Sequence, residues 1–559
     1  MNGRLQPAIE LLDHFRQPGL FALIFLIFTL PRLANLGQYV TADEPMYLRE
    51  AGGFYYALSN RAFEATNRVV QPGVTTLWLG TLGYLFRFPD YRDLGELYIA
   101  DFHFYNLLHK AQLIPLQILV YSRGFLVLLN ACIMTFSFYY ARRLLGSTTA
   151  LIGFVFLALD PFMFAHGRLL ATDGLLASFL FLALLALLSF AHQARKADLV
   201  CSGIAAGLSW LTKTTGVLII PFAAFLLFYE AWHGRGSKSM KRVRFVRDLG
   251  IWLASGGLVF VLLFPAMWVD PIQTLASLFT FSLESAAGDH NSNSFFNGRL
   301  IPNGQMGWEY FYFYPLTFLW RTTPVAVLGL AALALFWRIH PDSPQRRYHW
   351  GFVAFILLFT FLLTLSAKKF DRYLAPVYPP LIILAGIGWK RMSSFLATKI
   401  SLKPVGVVCF GILTASVAWQ AALVWQSLPY PLAYYNPLMG GSARAPTKML
   451  IGWGEGLDEA ARFLNRQPGI KNKTVYSWYA AALNYHFSGV AKDLPISQPI
   501  GDSLFADMVN ADFAVIYIHQ WQRRTSARLL DYLADKEPVF TSTINGIEYA
   551  RVYDLASIR

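Results

Sequence analysis

Charge is scarce in this chain. Of its 559 residues only 14% are charged, whereas 55% are hydrophobic, and the mean hydropathy is +0.41. A soluble domain carries about a quarter charged residues, so the deficit excludes a single compact water-soluble body and implies that most of the chain lies in hydrocarbon. Cysteine is nearly absent as well. Cys132, Cys201 and Cys409 each fall inside an apolar run, and an odd number in such settings excludes a disulfide framework and a cysteine-bound metal. Phosphate-binding glycine loops, dinucleotide fingerprints, zinc spacings and tandem repeats are all missing.

What is present is a series of apolar stretches of about 20 residues, the length that crosses a bilayer. They lie near 18–36, 113–139, 147–164, 173–191, 199–212, 214–232, 250–269, 323–338, 350–366, 374–389 and 404–425, about eleven spans in all. With a cytoplasmic N-terminus, every inside loop is basic: Arg142–Arg143, Arg195–Lys196, six Lys/Arg from Arg235 to Arg247, Arg338 to Arg347, and Lys390 to Lys403. The net charge of +14 then follows from topology and anionic lipid, not from nucleic-acid binding. The first run has no small-residue cleavage site and reads as an uncleaved span. Aromatics reach 16%, as interfacial belts require.

The expected fold class is therefore an α-helical polytopic membrane protein, with residues 1–425 forming the transmembrane domain. The first external loop, 37–112, should carry interfacial helices, among them Val74–Phe88. A second loop, 270–321, holds the polar run around His290. Beyond 426 the composition shifts: Asp458–Gln467 and Ser526–Leu533 have helical spacing, Phe513–Ile518 reads as a buried strand, and Ile547–Tyr553 as an edge strand. Alternating helix and strand predicts a small extracytoplasmic α/β domain over 426–559.

Ionisable groups bordering spans are costly, so a functional role is their default explanation. On the outer side they gather at Asp43–Glu44 after the first span, His166, Arg168 and Asp173 between the third and fourth, Lys213 between the fifth and sixth, and Lys368, Lys369, Asp371 and Arg372 between the ninth and tenth. Helix capping by Asp43 or Asp173, and snorkelling of the lysines to headgroups, are the bland alternatives. Carboxylates facing cations at one interface suit a lipid-borne anionic substrate. Asp43, Glu44 and His166 are also the candidate ligands of a divalent ion, although no spacing demands one.

These pieces, taken in order, resemble the polytopic C-type glycosyltransferases, in particular the protein O-mannosyltransferases and bacterial lipid A aminoarabinose transferases. The resemblance rests on Asp43-Glu44, Arg168-x-x-x-Thr172-Asp173, Gly207-Leu-Ser-Trp-Leu-Thr-Lys213 and Lys369-Phe-Asp-Arg372-Tyr-Leu-Ala-Pro376-x-x-Pro379. Ala433-Tyr-Tyr-Asn-Pro-Leu438 and Gly452-Trp-Gly-Glu-Gly456 resemble the tail of bacterial members. It implies a hexosyl- or pentosyltransferase in the bacterial plasma membrane, using a polyprenyl-phosphate sugar on the extracytoplasmic face. The first-loop aspartate, Asp43, is then the base, and Lys213 and Arg372 hold the lipid phosphate. The 270–321 loop lacks the insertion of eukaryotic members, so the resemblance does not imply a protein acceptor, and the sequence itself does not choose among lipid, glycan and protein.

The residues then divide by role. Lipid phosphate is already a good leaving group, so an inverting transfer needs a base for the acceptor hydroxyl and cations for the phosphate. Asp43 would be the base, Glu44 would orient hydroxyls, Asp173 would assist, and Lys213, Arg372, Lys369 and Arg168 would face the phosphate. A lipid-linked-sugar flippase and a non-catalytic scaffold are the alternatives. The first should show repeated halves with broken helices, and the second no dependence on the charged loops.

Overall fold

The computed structural model describes every residue except 1–5, 69–70, 100, 235, 288–292, 338–345, 400–404, 496–499 and 559. The run around His290 and part of the basic loop before Arg347 therefore lie outside the described residues. Each of the eleven apolar runs holds helix. Six helices among the described residues are long and apolar enough to cross a membrane unaided, or seven if Trp308–Arg321 and Pro324–Leu335, bent by 116°, form one span. The difference from eleven comes from short or broken helices. Ser147–Ala158 ends before Pro161, and Lys196–Thr212 stops at Lys213, whose backbone is extended.

The centre is the helix Thr172–Gln193, whose apolar window is 94% buried. After Asp173 it carries no charge and is apolar on every side, so it must be surrounded by protein or lipid. Helices Pro115–Leu145, Lys196–Thr212 and Tyr378–Lys399 pack around it. Lys238–Leu263 and Val405–Ser427, only 17% and 22% buried, take the periphery. Gly207 lies against the Gly256 backbone, where any side chain would collide, so these two helices approach at backbone distance.

The two ends of the central helix are about 30 Å apart and differ chemically. At its C-terminal end Arg143 pairs with Asp198 at 3.2 Å and Lys196 with Asp248, tying together the basic loops that the sequence places on one side. At its N-terminal end stand Asp173, Asp43, Lys213 and Arg372.

The first loop is less superficial than expected. Helix Val74–Arg87 is packed on protein along most of its length. It buries Val74, Leu77 and Tyr84 against Glu44–Ser59 and Pro115–Leu145, leaving only its end, with Phe86, exposed. In the 270–321 loop, helix Pro271–Ala287 exposes Ile272, Leu275, Phe279 and Leu283, and the hairpin β1 (Ser294–Phe296) and β2 (Arg299–Ile301) follows.

The C-terminal segment contains β3 (Val475–Ser477), β4 (Lys492–Asp493), β5 (Phe513–Tyr517), β6 (Phe540–Ile544) and β7 (Ile547–Asp554) in the order β4-β3-β5-β7-β6. The expected strand at 513–518 is β5, and its five residues are all buried. The expected edge strand is β7, and it is interior: it pairs with β5 and β6, and β6 takes the edge. Alternating burial cannot reveal an edge, because Tyr549, Ala550 and Val552 are buried by the flanking strands and helices whether or not a neighbour pairs. Asn545 and Gly546, both with positive φ, make the tight β6–β7 turn.

This segment is fastened to the first loop. Ala42 N–H donates to the Trp453 carbonyl at 2.7 Å, and Tyr105 Oη donates to the Ala481 carbonyl at 2.7 Å. At the join Gly454 has φ +128° and presses on the Val40 carbonyl, leaving no room for a Cβ. Gly454→Ala is expected to cost about 1–3 kcal/mol and to make the C-terminal segment more sensitive to limited proteolysis, while digestion of the helix bundle stays unchanged.

Candidate active site

The acidic pair after the first span divides in two. Helix Glu44–Ser59 begins at Asp43, but the Asp43 carboxylate accepts no capping bond. Its side chain is 37% exposed and meets Arg372 Nη2 at 3.5 Å. Glu44 is fully buried. Its Oε2 accepts from Thr41 N and Thr41 Oγ1, both at 2.9 Å, and its Oε1 from Leu170 N at 2.8 Å and Arg123 Nε at 2.7 Å. Arg123, from the middle of helix Pro115–Leu145, also reaches the Leu36 and Tyr39 carbonyls. Glu44 is thus not free to orient a substrate hydroxyl. It and Arg123 clasp the loop that presents Asp43.

From Asp43 the charges alternate. Arg372 Nε lies 3.6 Å from Asp173 Oδ2, and Asp173 Oδ1 accepts from Lys213 Nζ at 2.7 Å. Lys213 is pinned on both sides, since Gly73 N–H donates to Thr212 O at 3.2 Å and Thr214 N–H to Gln71 O at 2.7 Å. Its ammonium sits 4.2 Å from the centre of the Tyr373 ring, and the Arg372 guanidinium 4.6 Å from that of Trp453. Burial pulls Arg372 toward its neutral form, but Asp43, then Tyr373 and Asp173, outweigh it and hold the guanidinium above its usual range. A second pair stands alongside: Arg321 Nη2 meets Asp371 Oδ2 at 2.6 Å, and Asp371 Oδ1 accepts from Arg372 N at 2.7 Å.

Of the other expected residues, Lys369 donates to the Thr364 carbonyl at 2.8 Å and to the Ser366 carbonyl. Arg168 lies behind the clasp. It donates to Ala34 O at 2.5 Å, with Arg123 and Glu44 as its charged neighbours, so it does not join the row of cations. His166 is buried, and neither ring nitrogen has a partner among the described residues. The candidate metal group does not assemble. Among the described residues no three His, Cys, Asp or Glu side chains gather as a ligand set, and Arg123 takes the Glu44 carboxylate that Asp43 and His166 would need. Arg321 and His519 border the site without having been singled out from sequence, and Trp453 reaches it from the Gly452–Gly456 motif. Arg321 sits in an aromatic stretch with no charged neighbour, and His519 comes from a distant part of the chain.

Two cavities open beside the charges. The larger, of about 860 Å³, is mostly apolar, with Val217, Phe260, Leu278 and Leu363 in its walls, and Lys213, Lys368 and Tyr373 also line it. The smaller, about 40 Å³, has mixed walls, with His166, Arg321, Asp371, Arg372, Glu455 and His519 set among aromatic and aliphatic side chains. The segment from Lys368 to Tyr373 contributes to both, Lys368 and Tyr373 to the larger and Lys369 to Arg372 to the smaller.

Residues 121–282 match the family model of dolichyl-phosphate-mannose-protein mannosyltransferases. The match contains Arg123, Asp173 and Lys213, but neither Asp43 nor Arg372. Over this stretch the chain resembles that family, in line with the resemblance read from its sequence motifs. No curated protein sequence matches the chain. Among solved structures, ArnT from Cupriavidus metallidurans bound to undecaprenyl phosphate is similar with 16% identity and a TM-score of 0.47, covering 95% of this chain and 97% of that one. The archaeal oligosaccharyltransferase AglB from Archaeoglobus fulgidus, in complex with an inhibitory peptide and a dolichol-phosphate, is similar with 9% identity and a TM-score of 0.49, covering 96% of this chain and 74% of that one.

Two outcomes follow from the geometry. Removing one partner of a buried pair leaves the other charge unpaired, so Arg123→Ala should lower stability in detergent by about 3–5 kcal/mol, and adding Glu44→Gln should recover part of the loss. The second concerns Lys368, whose ammonium is brought down to about 8 by burial first, then by Arg372 and Lys213, with Asp43 opposing. A lysine is cationic below its pKa, so the affinity of the large cavity for an anionic ligand should hold near neutrality and fall as the pH rises through about 8. Lys368→Met should flatten that step in a binding titration.

Proposed function

We propose that the chain is an integral membrane glycosyltransferase that moves a sugar from a polyprenyl-phosphate donor to an acceptor hydroxyl on the extracytoplasmic face, with inversion. The observation that carries this reading is the mostly apolar cavity that Lys213 and Lys368 also line, Lys213 being the last member of the row Asp43–Arg372–Asp173–Lys213. A prenyl chain matches the apolar walls, and the phosphate comes to rest against the ammonium groups.

The chemistry follows from the charges. As the sugar leaves, negative charge grows on the phosphate, and Lys213, Lys368 and Arg372 are already in place to meet it, which spares reorganisation during the step. Asp43, the exposed carboxylate of the row, takes the proton of the acceptor hydroxyl as that oxygen attacks the anomeric carbon from the face opposite the phosphate. Asp173, buried and bonded to both Lys213 and Arg372, positions these two cations. Glu44 and Arg123 position Asp43. Residues 1–425 form the membrane body and 426–559 an extracytoplasmic α/β domain that closes over the first loop. With the basic loops in the cytoplasm, the row faces outward. Lipid, glycan and protein remain the candidate acceptors.

Incubating the purified protein with a labelled polyprenyl-phosphate sugar and acceptor-bearing membranes tests the assignment. Transfer of label is expected, and translocation without transfer would instead indicate a flippase. Asp43→Asn should reduce turnover by about a hundredfold or more with an unchanged unfolding midpoint. Lys213→Met should lower kcat as well as raise the KM for the donor. An Asp43→Asn protein that turns over normally would remove Asp43 as base.

A further inference from the structure

A further cavity lies in the C-terminal segment. It measures about 370 Å³, within the range of small-molecule sites, about 300–1,000 Å³. Its floor is one face of the sheet. Ile516 of β5 and Thr541 of β6 both stand opposite Arg551 of β7, and all three line the cavity. Tyr517, the next residue along β5, points the other way. Its hydroxyl accepts from Gly454 N at 2.8 Å and donates to Glu455 O at 3.1 Å, and Glu455 borders the small cavity near Arg372. The new cavity therefore occupies the sheet face turned away from the candidate active site.

A β-bulge completes this face. Ser542 stands opposite Ala550 but Thr543 opposite Glu548, so Tyr549 is an extra residue in β7. In an unbroken strand Glu548 and Arg551, three positions apart, would point to opposite faces. The bulge brings both to the cavity, where Arg551 Nε donates to Glu548 Oε2 at 2.9 Å and Arg551 Nη2 donates to the same oxygen. The guanidinium also lies 4.7 Å from the centre of the Trp521 ring, which helps to hold it in place. An ion pair this exposed adds at most about 1 kcal/mol to stability. What it does supply is a donor and an acceptor fixed side by side.

The charges favour a neutral ligand. Lys536 and Arg551 line the cavity together with Glu537 and Glu548, so a ligand of either sign meets repulsion as well as attraction. Both cations are already paired, Arg551 with Glu548 and Lys536 with Asp535 at 3.6 Å. The pair with Glu548 leaves Glu548 Oε1 to accept and further guanidinium N–H groups to donate, and the Thr541 hydroxyl on the same face does both. Neighbouring hydroxyls of a sugar ring match that combination. Its C–H groups match the apolar part of the walls, Ile516, Leu530 and Pro538.

We propose that this cavity binds a short uncharged saccharide and is a glycan-holding site separate from the centre of sugar transfer. Its place follows from the sheet register. The choice of a glycan rests on the glycosyltransferase reading above, under which every product carries a sugar.

Binding to the full-length protein in nanodiscs tests this. The probes are a panel of neutral di- to hexasaccharides, their uronic-acid and amino-sugar counterparts, and sugar-free peptides. At least one neutral saccharide should bind. Combining Arg551→Met with Glu548→Gln removes both partners of an exposed pair, and should weaken that binding about tenfold with an unchanged unfolding midpoint. If the midpoint falls, Thr541→Val gives a second readout in the same direction without removing a charge. Asp43→Asn should bind the saccharide as the wild type does. A panel with no binder, binding that survives these cavity variants, binding that changes in Asp43→Asn, or a preference for a charged saccharide or a peptide would each overturn the proposal. Sugar transfer is measured separately. A saccharide held through Arg551 by a protein that transfers no label would overturn the glycosyltransferase reading and leave the cavity standing, whereas transfer without saccharide binding would overturn the cavity assignment alone.

Discussion

Arg372 is shared between Asp43 and Asp173, and Asp173 between Arg372 and Lys213. Much of the remaining architecture serves that alternation. A lone ion moved this far from water costs several kcal/mol even after relaxation, so none of the buried members is tolerable without its neighbours. The four residues come from the start of one helix, the N-cap of another, a break between two more and a 3-10 turn, and only helix packing brings them together. Close approach at Gly207 and Gly256, and the bridge of residues 71–73 to 212–214, hold Lys213 where Asp173 can reach it.

The neighbouring carboxylates Asp43 and Glu44 show how one dipeptide provides two different environments. Glu44 is enclosed and saturated with donors, and it fixes the loop. Asp43, one residue earlier and outside the first helical turn, is left half in water with a single cation at the edge of contact. A group that must exchange protons needs that access, and a group that must hold a backbone still needs the opposite. The clasp also explains why Arg123, an arginine in the middle of an apolar helix, is tolerated there.

Much of this is legible in the residues alone. The eleven apolar runs, the basic loops and the gathering of Asp43, Asp173, Lys213 and Arg372 at one end follow from helix length, loop charge and the cost of charge near lipid. The inward turn of Glu44 is not legible, because adjacent residues at a helix start point in different directions and the sequence does not say which faces protein. Nor is its partner, since 79 positions separate Glu44 from Arg123. Val74–Arg87 has the composition of an interfacial helix but is covered by its neighbours, and β7 has the alternation of an edge but pairs on both sides. In each case the local pattern is right and the partner is supplied by distant chain.

The two cavities beside the charges are built from different parts of the polypeptide. Every residue lining the larger one lies between Gln71 and Tyr373, whereas Met449, Gly452, Trp453, Glu455 and His519 bring the last quarter of the chain to the smaller one. On the proposed function, an isoprenoid tail has to fit the former and not the latter. A change in the C-terminal wall then alters the second cavity and leaves the wall assigned to the carrier lipid untouched.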